Sequence, residues 1–479
     1  MRLLQRVVIP TTSNNKSMAS DNTKHKVTHE TIKQLDHAHL WHPFTPMQLW
    51  FEDDPVVIVA ATGHELIDDN GTHYLDGVSS LWCNVHGHNR PELNAAITDQ
   101  LQRVAHTTLL GLTNVPAVLL AERLSSLVPA GLTRVFYSDA GATAVEAALK
   151  MALQFWQLSG QPSKTRFGSL VDAYHGDTLG AVGVGYADTF HRFYRSVLPD
   201  ALRLTPPHLL RWQNHLSQTE ALEQAIAEAT LNISEQAATL AAVIVEPLMQ
   251  GAAGMWPHQP TYLRALRDIT KKTNVLLIAD EVATGFGRTG SMFACEQADI
   301  TPDLLCLAKG ITGGYLPLAA TVATDEIHAA FLGSPQEGKT FFHGHTYTGN
   351  PVACAAALAS LDLFISDQTL EKLGPKIANL TQQLDHHIRP LPHVADVRQC
   401  GVMIGIELAA NTETRTPYET SERMGAQVCL EARHRGVIIR PLGDVVVLMP
   451  PLSIHHSEID RLMSVVRDAI VAVTSGDRT

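Results

Sequence analysis

Two polar residues stand directly behind apolar runs. Val275-Leu-Leu-Ile-Ala279 is followed at once by Asp280 and Glu281, and Leu304-Leu-Cys-Leu-Ala308 by Lys309, Gly310 and then Thr312-Gly-Gly314. A carboxylate at a buried strand end can pair with a pyridinium nitrogen and keep that ring protonated, so that it withdraws electrons from a bound substrate. A lysine ending an apolar strand is unusual, because lysine is rarely buried unpaired. Burial near other positive charge depresses its pKa, which suits Schiff-base formation and later proton transfer. Each residue also has an ordinary reading: Asp280 as the cap of a turn, Lys309 as a lysine snorkelling from a strand end. The two together are a stronger signal than either alone.

Tyr137-Ser-Asp-Ala-Gly-Ala142 lies between a strand and a helix starting near Thr143, where free N–H groups and the helix dipole can meet an anion. Gly141 lets the backbone approach closely; the alternative is a plain loop capped by Ser138 or Asp139. Tyr174-His-Gly-Asp177 follows a further apolar run, and Tyr174 could cover a planar ring or simply pack in the core. Gly285-Phe-Gly-Arg-Thr-Gly290 is a weak dinucleotide fingerprint, since it stands away from its strand and opens no helix. The His-x-His pairs at His86 and His343 lack a helical i, i+4 partner or nearby cysteines, so no metal is expected. Cys83, Cys295, Cys306, Cys354, Cys400 and Cys429 form no C-x-x-C pair and read as free thiols of a reducing compartment.

Such residues need a scaffold that gathers strand ends. Apolar runs at 134–137, 167–171, 241–245, 275–279, 304–307 and 318–322 alternate with helical periods such as 142–156 and 260–270. This is the pattern of a mostly parallel sheet with crossover helices, whose ligands sit outside the carboxyl ends of the strands. Ahead of it, 55–60, 65–67 and 72–75 read as strands with an Asn70-Gly71 turn. Beyond 365 come a helix, an apolar run at 402–408 and a hairpin over 437–449. The expected division is a disordered tail over 1–27, the first part of a small domain over 28–95, a large domain over 96–364, and the rest of the small domain over 365–479. A chain of 479 residues, 45% apolar and 18% charged, suits two packed domains. The net charge of −12 argues against a nucleic-acid or anionic-membrane partner. No apolar run reaches the roughly 20 residues that cross a bilayer. The acid-free stretch 1–20 admits a transit peptide and an organellar location, or a start at Met18; a tail and a cytoplasmic location are the expectation.

The stretch Leu277-Ile-Ala-Asp280-Glu281-Val282, then Gly285-Phe-Gly-Arg288-Thr-Gly290, Asp303-Leu304 and Lys309, with 29 residues from Asp280 to Lys309, resembles the class III (ω-) aminotransferase signature. Trp41-His-Pro-Phe44, Ser79-Ser-Leu-Trp82, Glu246-Pro247, His343-Gly-His-Thr346, Arg440-Pro441 and Leu448-Met-Pro-Pro451 are similar to one branch of that family. That branch makes 7,8-diaminononanoate from 8-amino-7-oxononanoate in biotin synthesis, usually with S-adenosylmethionine as amino donor. The resemblance implies a fold-type I α/β transferase: a large domain with a mostly parallel sheet and helices on both faces, and a small α+β domain from both chain termini. It implies pyridoxal 5'-phosphate bound as a Schiff base on Lys309, with Asp280 at the ring nitrogen. Ala140 and Gly141 would offer N–H groups to the phosphate, and Tyr174 would stack on the ring. It implies a homodimer with shared active sites, in which His345 and Thr346 reach the phosphate of the neighbouring subunit's cofactor. The substrate site would comprise Phe44, Leu81, Trp82, Tyr174, Gly344 and Arg440, with Arg440 binding the carboxylate of the keto acid.

Some positions depart from that pattern. Phe44, Leu81 and Val447 stand where many members have Tyr, Trp and Tyr, and Ala140 replaces a Ser. A bacillar subgroup with similar replacements uses lysine as donor, so the donor stays open, with a general ω-amino-acid transaminase as a further alternative. A cofactor-binding regulatory domain and an NAD-linked oxidoreductase are the readings from other classes.

Overall fold

The computed structural model describes residues 28–213 and 216–475; the expected tail over 1–27 lies outside them. Two compact units are distinguished, 28–61 with Leu66–His73, and Thr62–Glu65 with 74–475.

In the smaller unit, helix His29–His39 begins at Thr28, whose hydroxyl accepts from the Thr31 N–H. Asp36 on that helix accepts from Trp50 Nε1 at 2.7 Å and from His42 Nε2 at 2.9 Å, which fastens the following segment. The expected Asn70-Gly71 turn is present. Gly71 has φ 83°, and the Asp68 carboxylate accepts from the N–H groups of Asn70 and Thr72, as turn aspartates do.

The larger unit is built on a seven-stranded sheet. Its strands are β1 (Leu132–Ser138), β2 (Arg166–Leu170), β3 (Ala201–Leu204), β4 (Leu240–Val245), β5 (Leu276–Asp280), β6 (Leu304–Leu307) and β7 (Ala319–Thr324). They lie in the order β1-β7-β6-β5-β4-β2-β3. Only β7 runs against its neighbours, antiparallel to both β6 and β1. Side-chain alternation divides the core in two. Ile244, Leu276, Ile278, Leu304 and Cys306 pack with one cluster, and Val243, Val245, Leu277, Ala279, Leu305 and Leu307 with the other. A strand with both faces covered has no place for polar residues, which is why these runs are continuously apolar.

Helix α1 (Gly141–Leu158) covers the first face. Ala144, Val145, Ala148, Leu149, Ala152 and Phe155 recur at helical spacing, and the alanines let it lie close to the strands. Helix α2 (Pro260–Lys272) covers the other face through Leu263, Leu266 and Ile269. Among the described residues no helix is long and apolar enough to cross a membrane.

The C-terminal part is α+β. Strands β8 (Val394–Cys400), β9 (Met403–Leu408), β10 (Arg440–Leu442) and β11 (Val445–Leu448) form an antiparallel sheet in the order β8-β9-β11-β10. The long helix His456–Ser475 buries Ile459, Leu462, Met463, Val466 and Ile470. Val437 and Ile438 pair in parallel with Leu75 and Asp76, so both ends of the chain contribute to this region.

Residues 285–290 form a turn in which Gly287 and Gly290 have positive φ, and no helix opens there. Buried Arg288 instead donates to the carbonyls of Pro450 and Asn84 at 2.9 and 2.7 Å. Next to it, Glu281 is fully buried and accepts from the N–H groups of Ala294 and Cys295. Burial pushes its carboxyl pKa up to about 7. The folded protein therefore holds this proton where the unfolded chain has lost it, and the stability that Glu281 contributes falls as pH rises from about 4.5 through 7. In Glu281→Gln one of two acceptors becomes an amide nitrogen, which lowers stability at pH 5. We expect the deficit relative to wild type, read by urea unfolding, to shrink between pH 5 and pH 8.

Candidate active site

Strands β5 and β6 pair in parallel, with Ile278 opposite Leu304 and Asp280 opposite Cys306. Asp280 ends β5 and Lys309 lies just beyond β6, so both side chains leave the sheet at one edge. Tyr174 follows β2, Glu246 follows β4, and Asp139 and Ala140 follow β1 at the same edge. A cavity of about 680 Å³ opens there, lined among others by Lys309, Asp280, Tyr174, Glu246, Ala140 and Gly141.

Asp280 is 4% exposed. Its Oδ1 accepts from the Val282 N–H at 3.1 Å, and its Oδ2 lies 2.7 Å from His175 Nδ1. A carboxylate only accepts, so His175 carries its proton on Nδ1. The other nitrogen, Nε2, is buried without a hydrogen-bond partner among the described residues. Lys309 sits at φ 45°, a left-handed backbone that a non-glycine residue rarely adopts. Its Nζ is 4.7 Å from the centre of the Trp82 ring. Burial pulls the lysine pKa down, against the pull of Asp280 and Glu246. Glu246 is buried, and both of its oxygens accept backbone N–H groups, from Tyr174 at 3.1 Å and Gly251 at 3.0 Å. Burial pushes its carboxyl up to about 7. The Tyr174 hydroxyl donates to Asp177 Oδ2 at 2.7 Å. Burial and that bond raise the phenol pKa, so it stays protonated at neutral pH.

The start of α1 supplies an anion cradle. The expected Ala140 donor is engaged, its N–H bonding to Thr143 Oγ1 at 3.0 Å, and the N–H groups of Thr143 and Ala144 bond back to the Ala140 carbonyl, whereas those of Gly141 and Ala142 have no acceptor among the described residues. A Cβ at Gly141 would meet Val282 Cγ1 at 2.6 Å, so only glycine lets the helix start seat against the segment behind Asp280. The cavity thus combines free N–H groups at a helix terminus, a buried carboxylate and a desolvated amine. That donor set fits a planar, phosphate-bearing pyridine aldehyde.

Other expected residues are placed as follows. Leu81 lies on the cavity rim, 47% exposed, and Trp82 is buried in its wall. Phe44 belongs to the smaller unit, where it is exposed and has φ 52°. His345 Nδ1 is 2.9 Å from Asp139 Oδ2. Thr346 is exposed, and its carbonyl accepts from His106 Nε2 at 2.9 Å. Gly344 is exposed, and Arg440 lies on β10 opposite Val447, which is itself buried beside Trp82. Gly344, His345, Thr346 and Arg440 do not line the cavity of the single chain. Sequence reasoning assigned no role to His175, Glu246 or Asp177. All three follow apolar runs as Asp280 does, and that position was their available signal.

Gly176 has φ 118°, and a Cβ there would lie 2.4 Å from Ala142 Cβ. It presses the Tyr174 loop against the start of α1. We expect Gly176→Ala to destabilise the protein by at least about 2 kcal/mol, through strain and overlap together. Urea unfolding measures this.

Residues 50–470 match the aminotransferase class-III family. The chain is 55% identical over 445 residues to an adenosylmethionine-8-amino-7-oxononanoate aminotransferase of Nitratidesulfovibrio vulgaris, covering 92% of this chain and 82% of the relative. It is 50% identical to a protein of the same name from Geobacter sulfurreducens, covering 93% and 99%. The solved structure of the adenosylmethionine-8-amino-7-oxononanoate aminotransferase of Methanocaldococcus jannaschii superposes with a TM-score of 0.88 at 42% identity, covering 92% and 99%. An amine transaminase from an uncultivated Pseudomonas species, solved in its PLP-bound form, superposes with a TM-score of 0.85 at 36% identity, covering 90% and 98%. The chain belongs to the class III aminotransferases. It is an aminotransferase of fold type I.

Proposed function

We propose that this aminotransferase converts 8-amino-7-oxononanoate to 7,8-diaminononanoate, the biotin-pathway step, with S-adenosylmethionine as amino donor and pyridoxal 5'-phosphate held on Lys309. The reaction is the one that the relatives' names carry. The observation that supports the chemistry is the single cavity that holds a desolvated lysine, a buried aspartate and a helix start with two free N–H groups.

Pyridoxal phosphate bound there supplies a ring that accepts electrons from the carbon bearing the amine. The protein's part is to hold and to move protons. Asp280, kept in place by His175 and the Val282 N–H, is the carboxylate that would hold the ring nitrogen. The N–H groups of Gly141 and Ala142 would hold the phosphate, helped by the positive end of the helix dipole. Ala140 in place of Ser costs little in this arrangement, because backbone groups do the binding. Lys309, with its lowered pKa, is a free amine more often than an exposed lysine and serves as the base that moves a proton at the substrate carbon. Tyr174 would cover the ring, and Trp82 and Leu81 bound the substrate site. Arg440 receives the keto acid's carboxylate in a planar fork.

The functional unit is a homodimer. Leu110 and Phe342 are 89% and 84% exposed, and Leu112 and Tyr347 are exposed on the same two segments, which His106 joins through the Tyr347 ring and the Thr346 carbonyl. So much exposed apolar surface suits a second copy of the chain. Gly344, His345 and Thr346, on the second segment, would then serve the partner's cavity.

Leu81 makes the rim aliphatic where the family resemblance has an indole, which favours lysine as the alternative donor. Purified protein with 8-amino-7-oxononanoate should form 7,8-diaminononanoate in the mixture with S-adenosylmethionine, and formation only in a parallel mixture with lysine would move the donor to lysine. Formation in neither would overturn the proposal. Lys309→Ala should keep the urea midpoint and lose turnover by at least about 10³-fold, the scale on which removing a catalytic proton carrier acts. Residual activity near wild type would remove Lys309 from its role.

A further inference from the structure

His191 ends the short helix Asp188–His191 and is only 2% exposed. Its ring lies parallel to that of Tyr174, 13° between planes and 6.3 Å between centroids. The Ala187 backbone N–H donates to its Nδ1 at 3.1 Å. That bond requires a lone pair on Nδ1, so the neutral ring carries its proton on Nε2. Nε2 is buried and makes no hydrogen bond among the described residues. Asp177 Oδ1 lies 3.7 Å from it, an electrostatic contact outside hydrogen-bond range. The other oxygen of that carboxylate takes the Tyr174 hydroxyl proton at 2.7 Å. One carboxylate therefore stands between an imidazole N–H and a phenol, at the wall of the cavity that Tyr174 and Asp177 both line.

We propose that His191 is a positioning residue for amine recognition: the positive end of its Nε2–H, 3.7 Å from Asp177 Oδ1, steadies that carboxylate electrostatically, and Asp177 holds the Tyr174 hydroxyl proton and so leaves the phenol oxygen as an acceptor. This role rests on the cavity being an amine-transfer site. A phenol has one proton. Once that proton is committed to Asp177, the oxygen can only accept from the cavity side, and a substrate ammonium group can only donate. The Asp177 side chain is 54% exposed, so without that electrostatic contact it is free to swing into solvent and release the hydroxyl. A purely structural role would instead rest on the ring's packing against Tyr174, and the two roles separate by substitution.

His191→Asn keeps an oxygen near Nδ1 for the Ala187 N–H but leaves nothing at the Nε2 position. His191→Gln places an amide N–H near Nε2. For His191→Asn we expect the KM for the amine substrate to rise about tenfold with kcat within about twofold, as loss of ground-state binding does. His191→Gln should recover most of that loss. In an Asp177→Asn background, His191→Asn should change KM by less than about twofold, because the two act through one link. An unchanged KM in the single variant, or full additivity in the double, overturns the proposal.

A readout that needs no turnover accompanies the kinetics. In the purified full chain labelled with 15N-histidine, His191 should appear as the Nε2–H tautomer, and Asp177→Asn should shift its Nε2 resonance. An Nδ1–H tautomer, or a resonance that Asp177→Asn leaves in place, overturns the proposal. The expected spectrum from a wild-type protein that transfers no amine would count against the proposed reaction alone.

Discussion

The parallel pairing of Leu276–Asp280 with Leu304–Leu307 is the constraint on which the site depends. Both strands are buried on both faces, so neither can end in a charged residue except at the rim, where a cavity replaces protein. The register puts Asp280 opposite Cys306, which places a carboxylate and the Lys309 amine beside each other at that rim. A slip of one residue would turn either strand's side chains to the opposite faces and scramble the two core clusters. Packing that looks remote from chemistry therefore holds the chemistry in place.

Around that pair the protein concentrates buried polar groups that a stable core would avoid. Asp280, Glu246 and His175 are all removed from water, and each buried carboxylate has both oxygens occupied by N–H donors. Lys309 sits in a left-handed backbone conformation, with its amine over the Trp82 ring. Strain and desolvation gathered at one strand edge are what a preorganised site requires, since groups fixed before substrate arrives need not reorganise during the reaction.

The loops divide the work differently. Gly141 and Gly176 let the start of α1, the Tyr174 loop and Val282 come closer than any side chain allows. The Glu281 carboxylate ties the next segment to the edge through the N–H groups of Ala294 and Cys295. Arg288 carries that segment across to Asn84 and Pro450. The glycine-rich run 285–290 therefore reads as a buttress of the site, not as a nucleotide loop.

Much of this was legible in the amino-acid order. The runs at 241–245, 275–279 and 304–307 are strands, because four or five apolar residues between turn signals are too few for a buried helix and suit a sheet buried on both faces. Asp280 and Lys309 stood out because charge directly after such a run has a price in free energy. The edge strand Ala201–Leu204 escaped notice, being short and flanked by prolines, and so did Val394–Cys400, where Asp396 and Arg398 mask the alternation. Only the tertiary structure decided that His175 holds Asp280 and that Glu246 takes the Tyr174 N–H, because partners 105 and 72 residues apart meet through strand order, which no local pattern encodes. Composition and spacing determine which segments must be buried; which buried ends become neighbours depends on how the sheet is threaded.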